Sequence, residues 1–170
     1  MITHICSEQS TSTATNVDEE MIGPNAIDLR LGKIFAISDD VFIIDEDSKT
    51  HRNITAVDVG PDGYYQLEPG TYEVTMDSEV SVGPDEAGLV IARSSLNRNG
   101  CYLTSGLYDS GFSGPLAAVL HVNCGPMRIK PGTRIAQYLN WKAQALSKYD
   151  GSYGYGVDGK PKAMETRYAR

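Results

Sequence analysis

The chain has no basic excess, no long apolar run, no paired cysteines and no sustained helical periodicity, and each absence removes a class of function. Fifteen Lys and Arg stand against twenty-two Asp and Glu in 170 residues, a formal net charge of -7. General affinity for nucleic acid or anionic membranes calls for the opposite balance, so phosphate recognition here must be local. No apolar segment approaches the roughly 20 residues that cross a bilayer. The opening MITHICSEQSTSTATN lacks the charged and apolar regions of a signal peptide. The expectation is a soluble cytoplasmic protein with no nucleic-acid or membrane partner. Cys6, Cys101 and Cys124 are odd in number and far apart, without a CxxC or nearby histidines, and read as reduced thiols rather than a zinc site. His4, His51 and His121 are equally scattered, and His121, inside the alternating run LAAVLHVN, reads as a satisfied strand histidine.

What the chain does have is short alternation between turns. TYEVTMDSEVSV and LAAVLHVN alternate apolar and polar residues, and GPDG, EPG, VGPDE and KPG separate such runs. The pattern predicts an all-β jelly roll or distorted β-barrel, with a helical turn or two at DEEMI and SSLNRNG. The acidic segment 39–53 reads as a strand around VFII followed by an exposed loop. One β domain is expected over 1–145. The remaining 146–170 is rich in glycine and tyrosine, with almost no aliphatic residue. It cannot build a core of its own and reads as a flexible arm.

Two motifs carry chemistry. In RSSLNRNG (93–100), Arg93 offers a planar fork of donors that matches phosphate oxygens, Ser94 and Ser95 add hydroxyl and backbone donors, and Arg98 adds a second cation. In GLYDSGFSG (106–114), Asp109 sits among Gly106, Gly111 and Gly114. Glycines let the backbone turn sharply and approach a ligand, which leaves the carboxylate free to act as a general base. A phosphate gripper followed by a framed acid suggests chemistry on a nucleoside triphosphate.

These motifs belong to an ordered set of five, IGPNAIDLRLG (22–32), PDEAGLVIARSSLNRNG (84–100), GLYDSGFSG (106–114), PGTRIAQYL (131–139) and KYDGSYG (148–154). The set resembles the superfamily that contains trimeric dUTP diphosphatases and dCTP deaminases, nearest to diphosphatases of the deaminase-like archaeal or viral type. The resemblance implies a distorted-barrel subunit in a homotrimer with active sites between subunits. It implies hydrolysis of dUTP to dUMP and pyrophosphate, with Asp109 activating the water that attacks the α-phosphorus. It assigns Thr104, Gly106, Tyr108 and Phe112 to the base and sugar, with Phe112 stacked on the deoxyribose. It assigns Arg93, Ser94, Ser95, Arg98 and Gln137, with Lys148, Tyr149 and Tyr153 of the arm, to the phosphates. Mg²⁺ is implied on the triphosphate, with Asp28 either meeting one of its waters or making a structural hydrogen bond.

The deaminases place a proton-relaying glutamate about five residues past the aromatic-Ser-Gly turn. Here that place falls on Val119 or Leu120, and neither moves a proton. Their base-reading glutamine is replaced by Ser152. The expected activity is therefore dUTP diphosphatase. The alternatives are a dCTP deaminase, alone or bifunctional, a diphosphatase acting on dCTP or a modified pyrimidine, and a non-catalytic nucleotide-binding trimer.

Overall fold

A computed structural model describes residues 1–169. In chain order the strands are β1 Thr13–Ala14, β2 Ile27–Ile37, β3 Ile43–Ile44, β4 Lys49–Thr50, β5 Ile54–Ala56, β6 Tyr65–Leu67, β7 Gly70–Ser81, β8 Glu86–Ala92, β9 Cys101–Thr104, β10 Ser113–Val122, β11 Met127–Ile129 and β12 Arg134–Lys142. Among the described residues helix is confined to one α-helical turn, α1 Ser94–Asn97, and 3₁₀ turns at Glu19–Met21 and Glu165–Ala169.

The alternation in LAAVLHVN becomes β10. Gly114, Leu116, Ala118, Leu120 and Val122 point inward, while Pro115, Ala117, Val119 and His121 face out, as a strand's two-residue side-chain period requires. The main sheet runs β8-β12-β2-β7-β10-β9. It nearly closes on itself, because Tyr108 and Gly88 exchange both backbone hydrogen bonds at 2.9 Å and the Ser105 hydroxyl donates to the Val90 carbonyl at 3.2 Å. The result is a barrel-like all-β fold. Its core holds Ile27, Leu29, Ile34, Val74, Leu116, Leu120, Ile135 and Tyr138, all essentially inaccessible to solvent.

Two local readings gain detail. VFII forms only the two-residue β3, paired to β4 in an exposed hairpin. The Asp45 carboxylate closes its turn by accepting from the amides of Asp47 and Ser48. His121 is satisfied as expected, with Thr104 Oγ1 at 3.2 Å, Thr71 Oγ1 at 3.4 Å and the Tyr102 ring stacked 4.5 Å away.

The tail after Ala145 lies back along the barrel. Tyr149 N–H donates to the Ser110 carbonyl at 2.9 Å, and Tyr155 N–H to Ser113 at 2.6 Å. A Cβ on Gly114 would stand 2.6 Å from the Gly154 Cα, so these two glycines are what let tail and β10 pass so closely. At its end, Tyr168 packs on Phe35 with ring centroids 5.6 Å apart, and its hydroxyl donates to Glu73. Arg167 pairs with the same carboxylate at 3.2 Å.

Candidate functional site

The hairpin between β9 and β10 is fixed at its root. Tyr108 is buried among Phe112 and Tyr138. Its hydroxyl donates to the Ala117 carbonyl at 2.8 Å and accepts from the Ala117 N–H at 2.9 Å, where the register of β10 against β7 slips. Burial pushes the Tyr108 phenol well above its ordinary range, so it stays a neutral strut. Beyond it the chain turns through Asp109–Phe112, closed by Phe112 N–H donating to the Asp109 carbonyl at 3.0 Å, with Gly111 at φ +84° in third place. A type II turn requires that conformation there. Ser110 anchors the turn by donating to the Glu86 carbonyl at 2.5 Å.

This geometry leaves the Asp109 side chain outward. It is exposed, with no ion pair or hydrogen bond to its carboxylate among the described residues. It lines an open cleft of about 500 Å³ together with Leu107, Trp141, Lys148 and Tyr149. Two arm residues singled out in the sequence, Lys148 and Tyr149, thus stand beside the candidate base. On the other side of the hairpin a cavity of about 290 Å³ is bounded by Gly106, Tyr108, Phe112 and Ala117 and covered by Tyr149 and Tyr153. Phe112 is held edge-on between Tyr108 and Tyr149, at centroid distances of 5.1 and 5.4 Å. Thr104 stands two residues before Gly106, at the end of β9, bonded to His121.

The second cluster forms where three motifs meet on neighbouring strands. Gln137 of β12 lies opposite Asp28 of β2 and Ile91 of β8. Arg93 follows β8 directly, its N–H donating to the Ile135 carbonyl at 2.9 Å. Gln137 Nε2 donates to Asp28 Oδ1 at 3.1 Å, while Arg93 Nη1 and Arg134 Nη1 lie 3.2 and 3.6 Å from Asp28 Oδ2. Asp28 is buried and holds the Arg93 fork in place. Ser94, Ser95 and Arg98 continue from Arg93 through α1 on an exposed surface, and the first amides of such a turn have no intrahelical acceptor. The cluster can bind an anion with a side-chain fork and backbone donors.

The two clusters do not meet within one chain. Asp109 shares its cleft with Trp141 of β12, whereas the Arg93 cluster centres on Gln137, four residues away along the same strand, a rise of about 13 Å. Sequence reasoning missed Arg134 on Asp28, although it lies three residues from Gln137 in the same motif. It also missed Glu86, which is fully buried and receives Lys142 Nζ at 2.6 Å, the amides of Thr11 and Ser12 and the hydroxyls of Ser10 and Ser12. Burial alone would raise the Glu86 pKa, but Lys142 and those donors carry it down from 4.5 to about 2.

Among the described residues no group of three or more His, Cys, Asp or Glu is placed to hold a metal ion. Both oxygens of Asp28 already have protein partners, so a metal-bound water would donate to an oxygen shared with Gln137 or with the two arginines.

Comparison with known proteins agrees with this architecture. The chain is 32% identical over 142 residues to a probable deoxyuridine 5'-triphosphate nucleotidohydrolase of Methanopyrus kandleri, covering 82% of this chain and 91% of that protein. It is 35% identical over 138 residues to the Aeropyrum pernix protein of the same description, covering 78% and 84%. A dUMP-forming dCTP deaminase of Beutenbergia cavernae is 30% identical over 148 residues, covering 84% and 76%. In fold, the chain is similar to the dCTP deaminase of Agrobacterium tumefaciens (TM-score 0.59, 18% identity, 80% of this chain and 45% of that one). It is also similar to EIAV dUTPase (TM-score 0.53, 15% identity, 82% and 93%). The dCTP deaminase-like family model matches residues 2–142, and the chain belongs to that family.

Proposed function

We propose that the protein is a dUTP diphosphatase, hydrolysing dUTP to dUMP and pyrophosphate. The observation that carries the reading is Asp109, presented without a partner among the described residues on a hydrogen-bonded turn beside a cleft of about 500 Å³. Asp109 orients a water and takes its proton as the water oxygen bonds to the α-phosphorus and the bond from that phosphorus to the bridging oxygen breaks. Pyrophosphate leaves, held by Arg93, Ser94 and Ser95, with Gln137 at the α-phosphate and Arg98 at the edge of the site. Gly106, Tyr108 and Phe112 shape the base and sugar pocket, with Thr104 at its entrance.

The assembly is proposed to be a homotrimer. Hydrolysis at the α-phosphorus needs base and gripper within a few ångströms of one triphosphate, yet one chain holds them at different ends of β12. A closed ring of subunits brings one chain's Asp109 to its neighbour's Arg93. The arm, docked here on its own barrel, opens and recloses over nucleotide, so that Lys148, Tyr149 and Tyr153 exclude water other than the nucleophile. Mg²⁺ arrives on the triphosphate as part of the substrate and keeps most of its waters.

The dCTP deaminase relatives give the second reading. Against it stands β10, where Val119 faces out of the barrel and Leu120 into the core, with no proton-moving group at either place. Incubation with Mg²⁺ and dUTP, dCTP, dTTP or UTP separately decides. The expected products are dUMP and pyrophosphate from dUTP alone; ammonia from dCTP would replace this reading with deamination, and binding without turnover would replace it with a nucleotide sensor.

A further inference from the structure

The cavity between the hairpin and the arm contains a group that the proposed chemistry does not use. Glu165, in the 3₁₀ turn near the chain's end, is only 8% exposed. It lines the cavity with Gly106, Tyr108, Phe112, Ala117 and Tyr153. Its Oε1 accepts from the Gly154 N–H at 2.7 Å. Its Oε2 is buried with no hydrogen-bond partner among the described residues. A buried, unsatisfied carboxylate oxygen is costly and calls for an explanation. Other buried groups without partners, such as Tyr138 and Ser78, lie within the barrel wall, whereas Glu165 borders open space on the face that the hairpin presents to a base.

We propose that Glu165 reads the nucleobase, its Oε2 accepting a hydrogen bond from the ring N–H of a uracil seated between the hairpin and the arm. The inference rests on the diphosphatase reading for the place of the base, and adds to it a specificity-determining residue from the arm. A buried acceptor favours a ligand edge that offers a donor and rejects one that offers only a lone pair at the same place, because the acceptor is then left unpaired. Uracil carries N–H at N3, where cytosine carries a bare nitrogen. Burial raises the Glu165 pKa, and Glu73 and Glu79 add to the effect; a ligand N–H would offset that penalty.

The Glu165→Gln variant gives a directional test. The Gly154 N–H needs an acceptor, so the amide oxygen takes the place of Oε1 and the amide NH₂ faces the cavity. The pocket then offers a donor where it had an acceptor. Affinities of the full-length wild type and E165Q for dUMP and dCMP are measured by calorimetry. The expected result is a wild-type preference for dUMP, and in E165Q a loss of dUMP affinity of about tenfold or more, the size of one charge-assisted hydrogen bond, with dCMP held or improved. An unchanged ratio of the two affinities overturns the inference, as does failure of the wild type to bind either nucleotide. Tyr155→Phe separates base reading from arm docking. Tyr155 holds the arm to β7 through its hydroxyl on Glu79 and is not among the residues that line the cavity, so its loss should shift both affinities together and leave their ratio alone; if it moves the ratio as far as E165Q does, the effect belongs to docking and the inference fails. A wild type that binds dUMP preferentially yet leaves dUTP uncleaved would sink the diphosphatase reading and leave this one standing.

Discussion

At the scale of single residues, the fold separates groups that hold structure from groups that face a ligand. Asp109 is outward on a turn held by its own bond from Phe112 N–H to the Asp109 carbonyl and by backbone bonds to Val82, none of which uses the Asp109 side chain, so Asp109→Asn should lower turnover of dUTP by about 10³-fold, the usual worth of a general base. Nucleotide affinity and the unfolding midpoint should stay near wild type; residual turnover within tenfold of wild type would remove Asp109 from the role. Arg93→Ala should instead weaken binding, raising KM by roughly 10- to 100-fold for the loss of charge-assisted bonds to phosphate, and an unchanged KM would contradict the gripper. Glu86 belongs to the structural class. Its folded pKa of about 2 lies below the ordinary 4.5, so its contribution is present above about pH 4.5 and lost as pH falls toward 2. Glu86→Ala should cost roughly 3 kcal/mol through the donors left unpaired and flatten that acid dependence, which a pH series of unfolding midpoints would reveal.

At the scale of elements, much was legible because strands announce themselves locally. The alternation of LAAVLHVN gave β10 and its inward face, and the turn glycines gave the hairpin, since Gly111 must adopt positive φ. The gripper was legible as residue types, and the strand register explains why Asp28 and Gln137 belong with Arg93. What was not legible depends on residues distant in sequence meeting in space. Glu86 gathers donors from Ser10, Thr11 and Ser12, which lie 76, 75 and 74 residues earlier in the chain, and no period or spacing announces that. Glu165 is one acid in a polar tail, and only the path of the arm across β10 brings it to the hairpin. That path depends on Gly154, where a Cβ would stand 2.3 Å from the Ser113 carbonyl. Gly154→Val should lift the arm from the barrel and reduce turnover, while the barrel's unfolding midpoint changes little. Deletion of 146–170 should do the same, and full activity in either protein would take the arm out of the mechanism.

At the scale of the whole molecule, the proposed trimer answers the separation of Asp109 from Arg93 within one chain and makes assembly testable as part of the chemistry. Mixing D109N and R93A subunits in equal amounts, followed by exchange between trimers, should restore activity to about a quarter of wild type in a closed symmetric ring. A quarter of the sites then combine an intact Asp109 from one chain with an intact Arg93 from its neighbour. Mixtures as inactive as their components would place each site within one chain and contradict the shared arrangement. In the proposed reading a chain of net charge -7 holds a polyanion through one local group of cations, Arg93 and Arg134 at Asp28 with Arg98 just after α1, rather than through a general basic surface.

The central claim, water attack on the α-phosphorus of dUTP, is tested most directly by hydrolysis in water carrying heavy oxygen, with the products analysed by mass spectrometry. The account predicts the label in dUMP and none in pyrophosphate. Label in pyrophosphate, or uncleaved dUTP after prolonged incubation with Mg²⁺, would contradict it.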